Sequence, residues 1–204
     1  MESPPLPADP LAAAALVGRG DTYEVRQHIA ELDKKQDWAA MVQFAVEQQK
    51  GDPEGSDWGV VAGYGWLRSR DYARAIAVLS RVTQRNPEDV SAWNLLGETQ
   101  RQAGQPGRAA QTLEHASIIG RTSYLTFFLL GEVYRDASRL DRAVGAYREA
   151  VRLEPLFSRG WFELGSAQVR IGERKDAEAA LGILQKLDPA LADRLKQQIG
   201  AKSK

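Results

Sequence analysis

Hydrophobic and polar residues follow a helical period along most of the chain, and residues 124–157 show it most clearly. This stretch reads YLTFFLLGEVYRDASRLDRAVGAYREAVRLEPLF. Apolar residues recur every three or four positions in both of its halves, which is typical of amphipathic helices. A short polar break separates the halves, and Pro155 closes the second because proline cannot continue a helix. The pattern therefore predicts two short antiparallel helices.

The same pattern returns every 34 residues. With Tyr124 as position 1, position 8 is glycine and position 20 is alanine in four successive units. The glycines are Gly63, Gly97, Gly131 and Gly165, and the alanines are Ala75, Ala109, Ala143 and Ala177. Small residues at fixed places on two helices let the helix backbones approach closely. One hairpin cannot bury its apolar side alone, so we expect neighbouring hairpins to stack into an all-α array.

The repeat frame divides the chain into four regions. Residues 1–21 form a Pro/Ala-rich arm, predicted to be partly disordered apart from a short helix that Asp9 and Pro10 begin. Residues 22–55 form a diverged helical hairpin, in which Ile29 replaces the repeat glycine. Four repeats follow over 56–189, and 190–204 are predicted to be a capping helix with a frayed tail. The individual repeats cover 56–89, 90–123, 124–157 and 158–191.

The first full repeat carries two glycines that the repeat does not explain. Gly59 and Gly65 flank the repeat glycine within one predicted helix. A glycine inside a helix costs about 0.5–1 kcal/mol relative to alanine. We therefore expect this helix either to be a loosened joint or to be approached closely by another chain.

The recurring residues resemble the tetratricopeptide repeat family. The pattern of that family is an aromatic residue, Leu-Gly and Tyr on the first helix, then Ala, an aromatic residue or Leu, and Ala on the second, then Pro. The resemblance is close over 56–189 and looser over 22–53. It implies a right-handed superhelix, or α-solenoid, of antiparallel helix hairpins. It also implies that the first helix of each hairpin lines a concave groove that binds a protein or peptide.

Carrying the family's groove positions onto this chain predicts a peptide-binding groove. The predicted groove residues are Tyr64, Arg68, Asn94, Glu98, Arg101, Phe128, Glu132, Arg135, Phe162 and Arg170. Phe128 and Phe162 lie one repeat apart and are predicted to form an exposed apolar anchor. Arg101 and Arg135 are predicted to hold a carboxylate or backbone carbonyls of the ligand. The alternative is that each arginine pairs with the glutamate three residues before it, which leaves a solvated face.

Signals for catalysis, metals and cofactors are missing from the sequence. There is no cysteine, and the two histidines, His28 and His115, lie far apart without metal-binding spacing. No phosphate-binding loop or nucleophile elbow occurs. We therefore expect no enzyme activity, no cofactor and no metal. Some family members grip acidic chaperone tails with a clamp rich in lysine and asparagine, and only Asn94 matches it, so a chaperone-tail receptor is not expected.

Three functions follow from these patterns. The first is a non-catalytic scaffold or adaptor that binds a protein or peptide in the groove. The second is self-assembly, in which the arm docks into its own or a neighbour's groove and gives a homo-oligomer. The third, nucleic-acid binding by a helical array, is disfavoured because Lys plus Arg and Asp plus Glu both number 27.

The sequence also bears on the compartment. No apolar run approaches the roughly 18 residues of a membrane span, and Glu2 stands where a secretory signal has a basic residue. The chain as given is therefore expected in the cytoplasm, or in the periplasm if a signal or anchor was removed.

Overall fold

The computed structural model describes residues 9–16, 19–20, 22–51 and 57–201. The start and the tail that were predicted to be disordered or frayed, 1–8 and 202–204, lie outside these residues. The described part of the chain contains only α-helices. In chain order they are α1 (Pro10–Leu16), α2 (Tyr23–Lys35), α3 (Trp38–Gly51), α4 (Asp57–Arg68), α5 (Tyr72–Arg85), α6 (Val90–Gln102), α7 (Pro106–Ile119), α8 (Tyr124–Asp136), α9 (Leu140–Leu153), α10 (Ser158–Ile171), α11 (Arg174–Leu187) and α12 (Pro189–Ala201).

Successive helices pack as hairpins, so the predicted all-α fold is confirmed. The repeat glycine explains how the two helices of a hairpin meet. A methyl group at Gly131 in α8 would lie 2.5 Å from Cε1 of Tyr147 in α9. A methyl group at Gly63 in α4 would lie 2.5 Å from Cδ2 of Leu79 in α5. Only glycine therefore leaves room for the large side chain that the second helix places there.

The chain packs as two compact units, unit 1 (residues 1–112) and unit 2 (residues 113–204). In unit 1, α4 packs between α3 and α5, and the two unexplained glycines of α4 lie at these contacts. A methyl group at Gly59 would lie 2.4 Å from Val82 in α5, and one at Gly65 would lie 2.7 Å from Val42 in α3. The glycines therefore allow close packing within the chain, and neither a loosened joint nor another chain is needed to explain them.

Unit 2 is built from two hairpins and a final helix. The pair α8 and α9 packs on α10, the pair α10 and α11 forms the next hairpin, and α12 lies against both α10 and α11. Leu195 and Ile199 of α12 are buried together with Phe162 and Leu184. Burying a leucine or isoleucine side chain contributes about 1.5–3 kcal/mol. The final helix therefore covers an apolar side that the last hairpin would otherwise expose.

Candidate functional site

The predicted groove residues lie on the first helices of the hairpins, which are α4 and α6 in unit 1 and α8 and α10 in unit 2. Positions 5, 9 and 12 of each first helix are three or four residues apart, so they share one side of that helix. We call these sides the unit 1 face, on α4 and α6, and the unit 2 face, on α8 and α10. Each face is a candidate surface for a partner.

Arg135 is the centre of a charged cluster on the unit 2 face. Its Nη1 donates to Oε1 of Glu132 at 2.7 Å and to Oε2 of Glu163 at 3.0 Å. Its Nη2 donates to Oδ1 of Asp136 at 3.0 Å. One guanidinium is thus shared by three carboxylates, and the alternative in which this arginine pairs within the chain is the one observed. A ligand carboxylate would have to displace these partners.

Glu132 is the buried member of this cluster. Tyr147 of α9 donates its hydroxyl proton to Oε1 of Glu132 at 2.6 Å, and the guanidinium of Arg159 lies 3.9 Å from Oε2. Burial raises the pKa of Glu132, although the hydrogen bond from Tyr147 and the charge of Arg135 oppose the rise. Burial and the Glu132 charge also raise the pKa of Tyr147. The second helix of the hairpin therefore supports a charged group on the first.

Phe128 and Phe162 do not form the exposed apolar anchor that the sequence predicts. Their side chains are only 3% and 6% exposed. Phe128 packs edge-on against Phe157 at 4.9 Å between ring centroids, and the guanidinium of Arg159 lies 5.0 Å from its centroid. Arg194 covers Phe162 at 4.6 Å. The prediction is wrong because arginine side chains cover both rings and gain cation–π contacts by doing so.

On the unit 1 face, Arg101 is also paired within the chain. Its Nε and Nη2 donate to the two carboxylate oxygens of Glu98, both at 2.7 Å. Gln102 donates to the same carboxylate at 2.6 Å. This arrangement matches the pairing alternative for Arg101, and it neutralises the charge that was predicted to hold a ligand. Glu98 and Asn94 are buried.

The α4 part of the unit 1 face is also held by polar contacts. Tyr64 is fully buried, and its hydroxyl donates to Oδ1 of Asp33 at 3.0 Å. Arg68 donates from Nη1 to the Tyr64 hydroxyl at 3.0 Å and lies 4.6 Å from the ring centroid of Trp38. Burial raises the pKa of Tyr64, so this hydroxyl stays protonated. Of the predicted groove residues, Arg68 and Arg170 are the exposed ones.

The helix α1 of the arm packs on the unit 1 face. It contacts α4 and α6, the two first helices, and also α2. Ala12 and Ala15 of α1 are each 1% exposed. Asp9, before α1, pairs with Arg68 at 3.5 Å, and Arg19, after α1, pairs with Asp89 at 3.0 Å. A segment of the chain itself therefore contacts a predicted groove residue.

Sequence reasoning missed a surface cavity in unit 2. It has a volume of about 440 Å³ and lies among α9, α10 and α11, with Trp161, Leu164 and Ala180 in its lining. Gln168 also lines it, and the Oε1 atom of this buried side chain makes no hydrogen bond. In the repeat frame Gln168 matches Gln100 and Ala180 matches Thr112, whose hydroxyl donates to Gln100 at 2.7 Å. A comparison of the repeats in the sequence could have shown that Gln168 keeps the glutamine of Gln100, whereas Ala180 lacks the hydroxyl of Thr112.

Metal-binding clusters and membrane-spanning helices are both absent from the described residues. Over 9–16, 19–20, 22–51 and 57–201, no three or more histidine, aspartate or glutamate side chains are grouped so that they could hold a metal ion. In the same ranges, no helix combines the length and the apolar character that crossing a membrane requires.

Known structures with a similar fold come from several proteins. MamA aligns at a TM-score of 0.68 and 19% identity, over 81% of this chain and 96% of that one. TTC0263, a tetratricopeptide protein of Thermus thermophilus, aligns at a TM-score of 0.69 and 16% identity, over 85% and 96%. YrrB, described as a tetratricopeptide protein with an unusual peptide-binding site, aligns at 0.63 and 17% identity, over 83% and 88%. At these identities the likeness shows the fold.

A search of curated proteins returned no match. A sequence model described as the tetratricopeptide repeat, in contrast, matches residues 63–119 and 128–192. These two segments make up more than half of the chain, and they include the repeat glycines Gly63, Gly97, Gly131 and Gly165. The chain therefore belongs to the tetratricopeptide repeat family.

Proposed function

We propose that this chain is a non-catalytic scaffold or adaptor that binds a peptide or protein segment on its first-helix faces. The observation that carries the proposal is the packing of α1 on α4 and α6, because it places a short helix on the unit 1 face. Family membership supports a protein or peptide partner, since arrays of this kind generally act through binding. The peptide-binding site for which YrrB is described supports the same class of ligand.

On the unit 2 face, the charge balance favours a ligand with a basic or neutral polar side chain. Three carboxylates, of Glu132, Asp136 and Glu163, surround the guanidinium groups of Arg135 and Arg159. The cluster thus carries one negative charge in excess when all five groups are ionised. A lysine or arginine of the ligand would balance it, whereas an acidic ligand would add repulsion.

The buried rings have a different part in this proposal from the one that the sequence predicts. Phe128 and Phe162 form the apolar floor beneath Arg159 and Arg194. The exposed contacts with the ligand come from the arginine side chains, which lie over that floor. Arg170, at the end of α10, is an exposed groove position and is the proposed contact most easily altered without disturbing the core.

A selection experiment tests this proposal. A displayed library of random peptides is selected on the full chain, and the selected peptides are titrated against Arg170→Glu and against Arg148→Glu. Arg148 is exposed on the second helix α9 and serves as the matched control. Because Arg170→Glu adds negative charge to the unit 2 face, we expect it to tighten the binding of basic peptides about tenfold, equal to about 1.4 kcal/mol, and the control to change the affinity less than about twofold.

Photo-crosslinking locates the bound peptide directly. A crosslinking amino acid at position 170, on a first helix, is expected to capture the selected peptides, whereas one at the exposed position 179, on a second helix, is not. Capture at position 179, together with a change of affinity in Arg148→Glu as large as that in Arg170→Glu, would overturn the proposal. A library that yields no peptide for the folded chain would also overturn it.

Self-assembly is a second candidate function, and the packing of α1 on first helices favours it. In this case the arm of one copy would pack on the unit 1 face of another and produce a homo-oligomer. Sedimentation of the full chain over a hundredfold range of concentration, about 1–100 μM, tests it at affinities typical of modest interfaces. A monomer at every concentration would remove this candidate.

A further inference from the structure

We infer that α1 is a ligand of the unit 1 face held within the same chain, and that this face binds a short helix of the same chemistry from a partner protein. That chemistry is a contact side of alanine and leucine, a carboxylate before the helix and an arginine after it. The inference rests on the proposed function, since it names the class of segment that one of the two faces takes. Binding of the partner would require the release of α1.

The apolar side of α1 fits the face through small side chains. Ala12 and Ala15 are almost completely buried, and Leu11 and Leu16 at the two ends of the helix are buried as well. Alanine at the contact lets two helices lie close together. A helix of seven residues is too short to be stable by itself. The contact with α2, α4 and α6 therefore holds α1 in its helical form.

Two ion pairs fix the direction in which α1 lies. Asp9 accepts a hydrogen bond from the backbone of Leu11 at the start of α1, and its other carboxylate oxygen lies 3.5 Å from Nη1 of Arg68. At the other end, Nη2 of Arg19 donates to both carboxylate oxygens of Asp89, at 3.0 and 3.2 Å. The face thus offers a cation to the start of the bound helix and an anion to its end.

The ion pair with Asp89 is well shielded from water. The side chains of Arg19 and Asp89 are 14% and 8% exposed. Asp89 also caps α6, because its Oδ1 accepts from the backbone of Ala92 at 3.1 Å. The Asp89 carboxylate that pairs with Arg19 is therefore held in place by its hydrogen bond to the start of α6, so it is a fixed part of the face.

The face does not depend on α1 for its construction. The hairpin partners α3, α4, α5 and α6 pack against one another in sequence, and α1 is the added element. The chain turns between α1 and α2 at Gly20, whose φ is +86°. Arg26 donates to the carbonyl of Gly20 at 3.0 Å. A turn held in this way directs α1 back onto its own chain, and the face becomes available to an equivalent helix only when α1 is released.

A competition experiment with a synthetic peptide tests the inference. The probe is a fluorescent peptide of residues 5–21, PLPADPLAAAALVGRGD, titrated into the full chain and into full-chain variants that expel α1. Ala15→Glu places a charge at a buried contact, and Arg19→Glu turns the ion pair with Asp89 into a repulsion. Ala179→Glu, on an exposed position of α11, is the matched control. Circular dichroism establishes that each variant is folded.

We expect the peptide to bind both expelled variants at least about tenfold more tightly than the native chain and the control. A peptide that itself carries Ala15→Glu should lose this binding. An exchange of charges tests the direction in which the helix lies. Asp89→Arg in the chain should weaken binding of the native peptide, and a peptide that carries Arg19→Asp should bind this variant with the original affinity. Equal affinity of the native peptide for the native chain and for both expelled variants would overturn the inference.

The remaining outcomes separate this inference from the proposed function. If the peptide binds no variant while library peptides still crosslink at position 170, the inference is wrong and the proposed function stands. If neither kind of peptide binds the folded chain, both fall. If the native chain is a dimer that the peptide converts to a monomer, α1 occupies the other copy, and the inference that it is held within its own chain is overturned.

Discussion

The hydrogen bond from Tyr147 to Glu132 supports the most direct test of how the unit 2 face is held. The substitution Tyr147→Phe removes only the hydroxyl and keeps the ring that packs against Gly131 and Phe128. The lost bond is 2.6 Å long, and its acceptor is a buried carboxylate. Removing it leaves Glu132 with Arg135 as its principal close donor.

The size of the effect follows from the nature of this bond. A hydrogen bond to a charged group contributes about 1.5–3 kcal/mol to stability, and a buried carboxylate that loses a donor destabilises the folded state because its lost hydration is no longer compensated. We expect Tyr147→Phe to lower the free energy of unfolding by about 2 kcal/mol at neutral pH. With a urea m-value of about 2 kcal/mol per molar, the midpoint of unfolding falls by about 1 M.

The measurement is urea unfolding followed by circular dichroism at a fixed pH, with Tyr124→Phe as the matched control. Tyr124 packs edge-on against Phe157 at 5.0 Å, and its hydroxyl makes no hydrogen bond to any residue that the structure describes. The control should change the free energy of unfolding by less than about 0.5 kcal/mol. If both substitutions have the same small effect, Tyr147 does not support Glu132 and the reasoning is refuted.

Three further predictions concern single positions in unit 2. Burial raises the pKa of Glu132 above 4.5 in the folded chain, so the folded state binds more protons than the unfolded state above that pH. The free energy of unfolding of the native chain, relative to that of Glu132→Gln, should therefore fall as the pH rises from 4.5 to 7. A difference in urea midpoints that stays constant over this range would contradict the prediction. Gly131→Ala places a methyl group 2.5 Å from the facing tyrosine ring and should lower the melting temperature, whereas Gly145→Ala, with nothing within 4 Å, should raise stability by about 0.5–1 kcal/mol. Ala180→Ser supplies a donor to the unbonded Oε1 of Gln168 and should raise the free energy of unfolding by about 0.5 kcal/mol, because a hydrogen bond of about 1 kcal/mol exceeds a helix-propensity cost of about 0.5 kcal/mol. The same change at the exposed Ala179 should lower the free energy of unfolding. A loss at both positions would show that the amide of Gln168 gains no hydrogen bond.

Local patterns predicted the helices well because helix formation and hairpin packing depend on residues close in sequence. The helical period predicted the hairpins, and the short helix that Asp9 and Pro10 were predicted to begin is α1, where Asp9 accepts from the backbone of Leu11. The close approach at Gly63 followed from its recurrence beside a large residue of the next helix. These features require only the chain within one repeat.

The surface of the candidate site was harder to predict because distant residues decide it. Phe128 occupies a groove position, yet Arg159 from the next hairpin lies over its ring. The partner of Asp89 is Arg19, seventy residues away in the sequence. Side-chain pairing was predictable only where both partners share a helix, as Glu98 and Arg101 do. The exposure of a side chain therefore could be determined only from the structure, whereas pairing between neighbours on one helix could be predicted from the sequence.

The glycines of α4 limit how freely this chain can be re-engineered. Repeat proteins are often engineered by replacing one hairpin with a consensus copy, because each repeat contacts only its neighbours. In α4, however, Gly59 and Gly65 leave room for Val82 on one neighbour and Val42 on the other. A consensus helix with alanine at these two places would collide with both neighbours unless each valine were shortened with it. The joint between the diverged hairpin and the first full repeat must therefore be transplanted as a matched set of three helices.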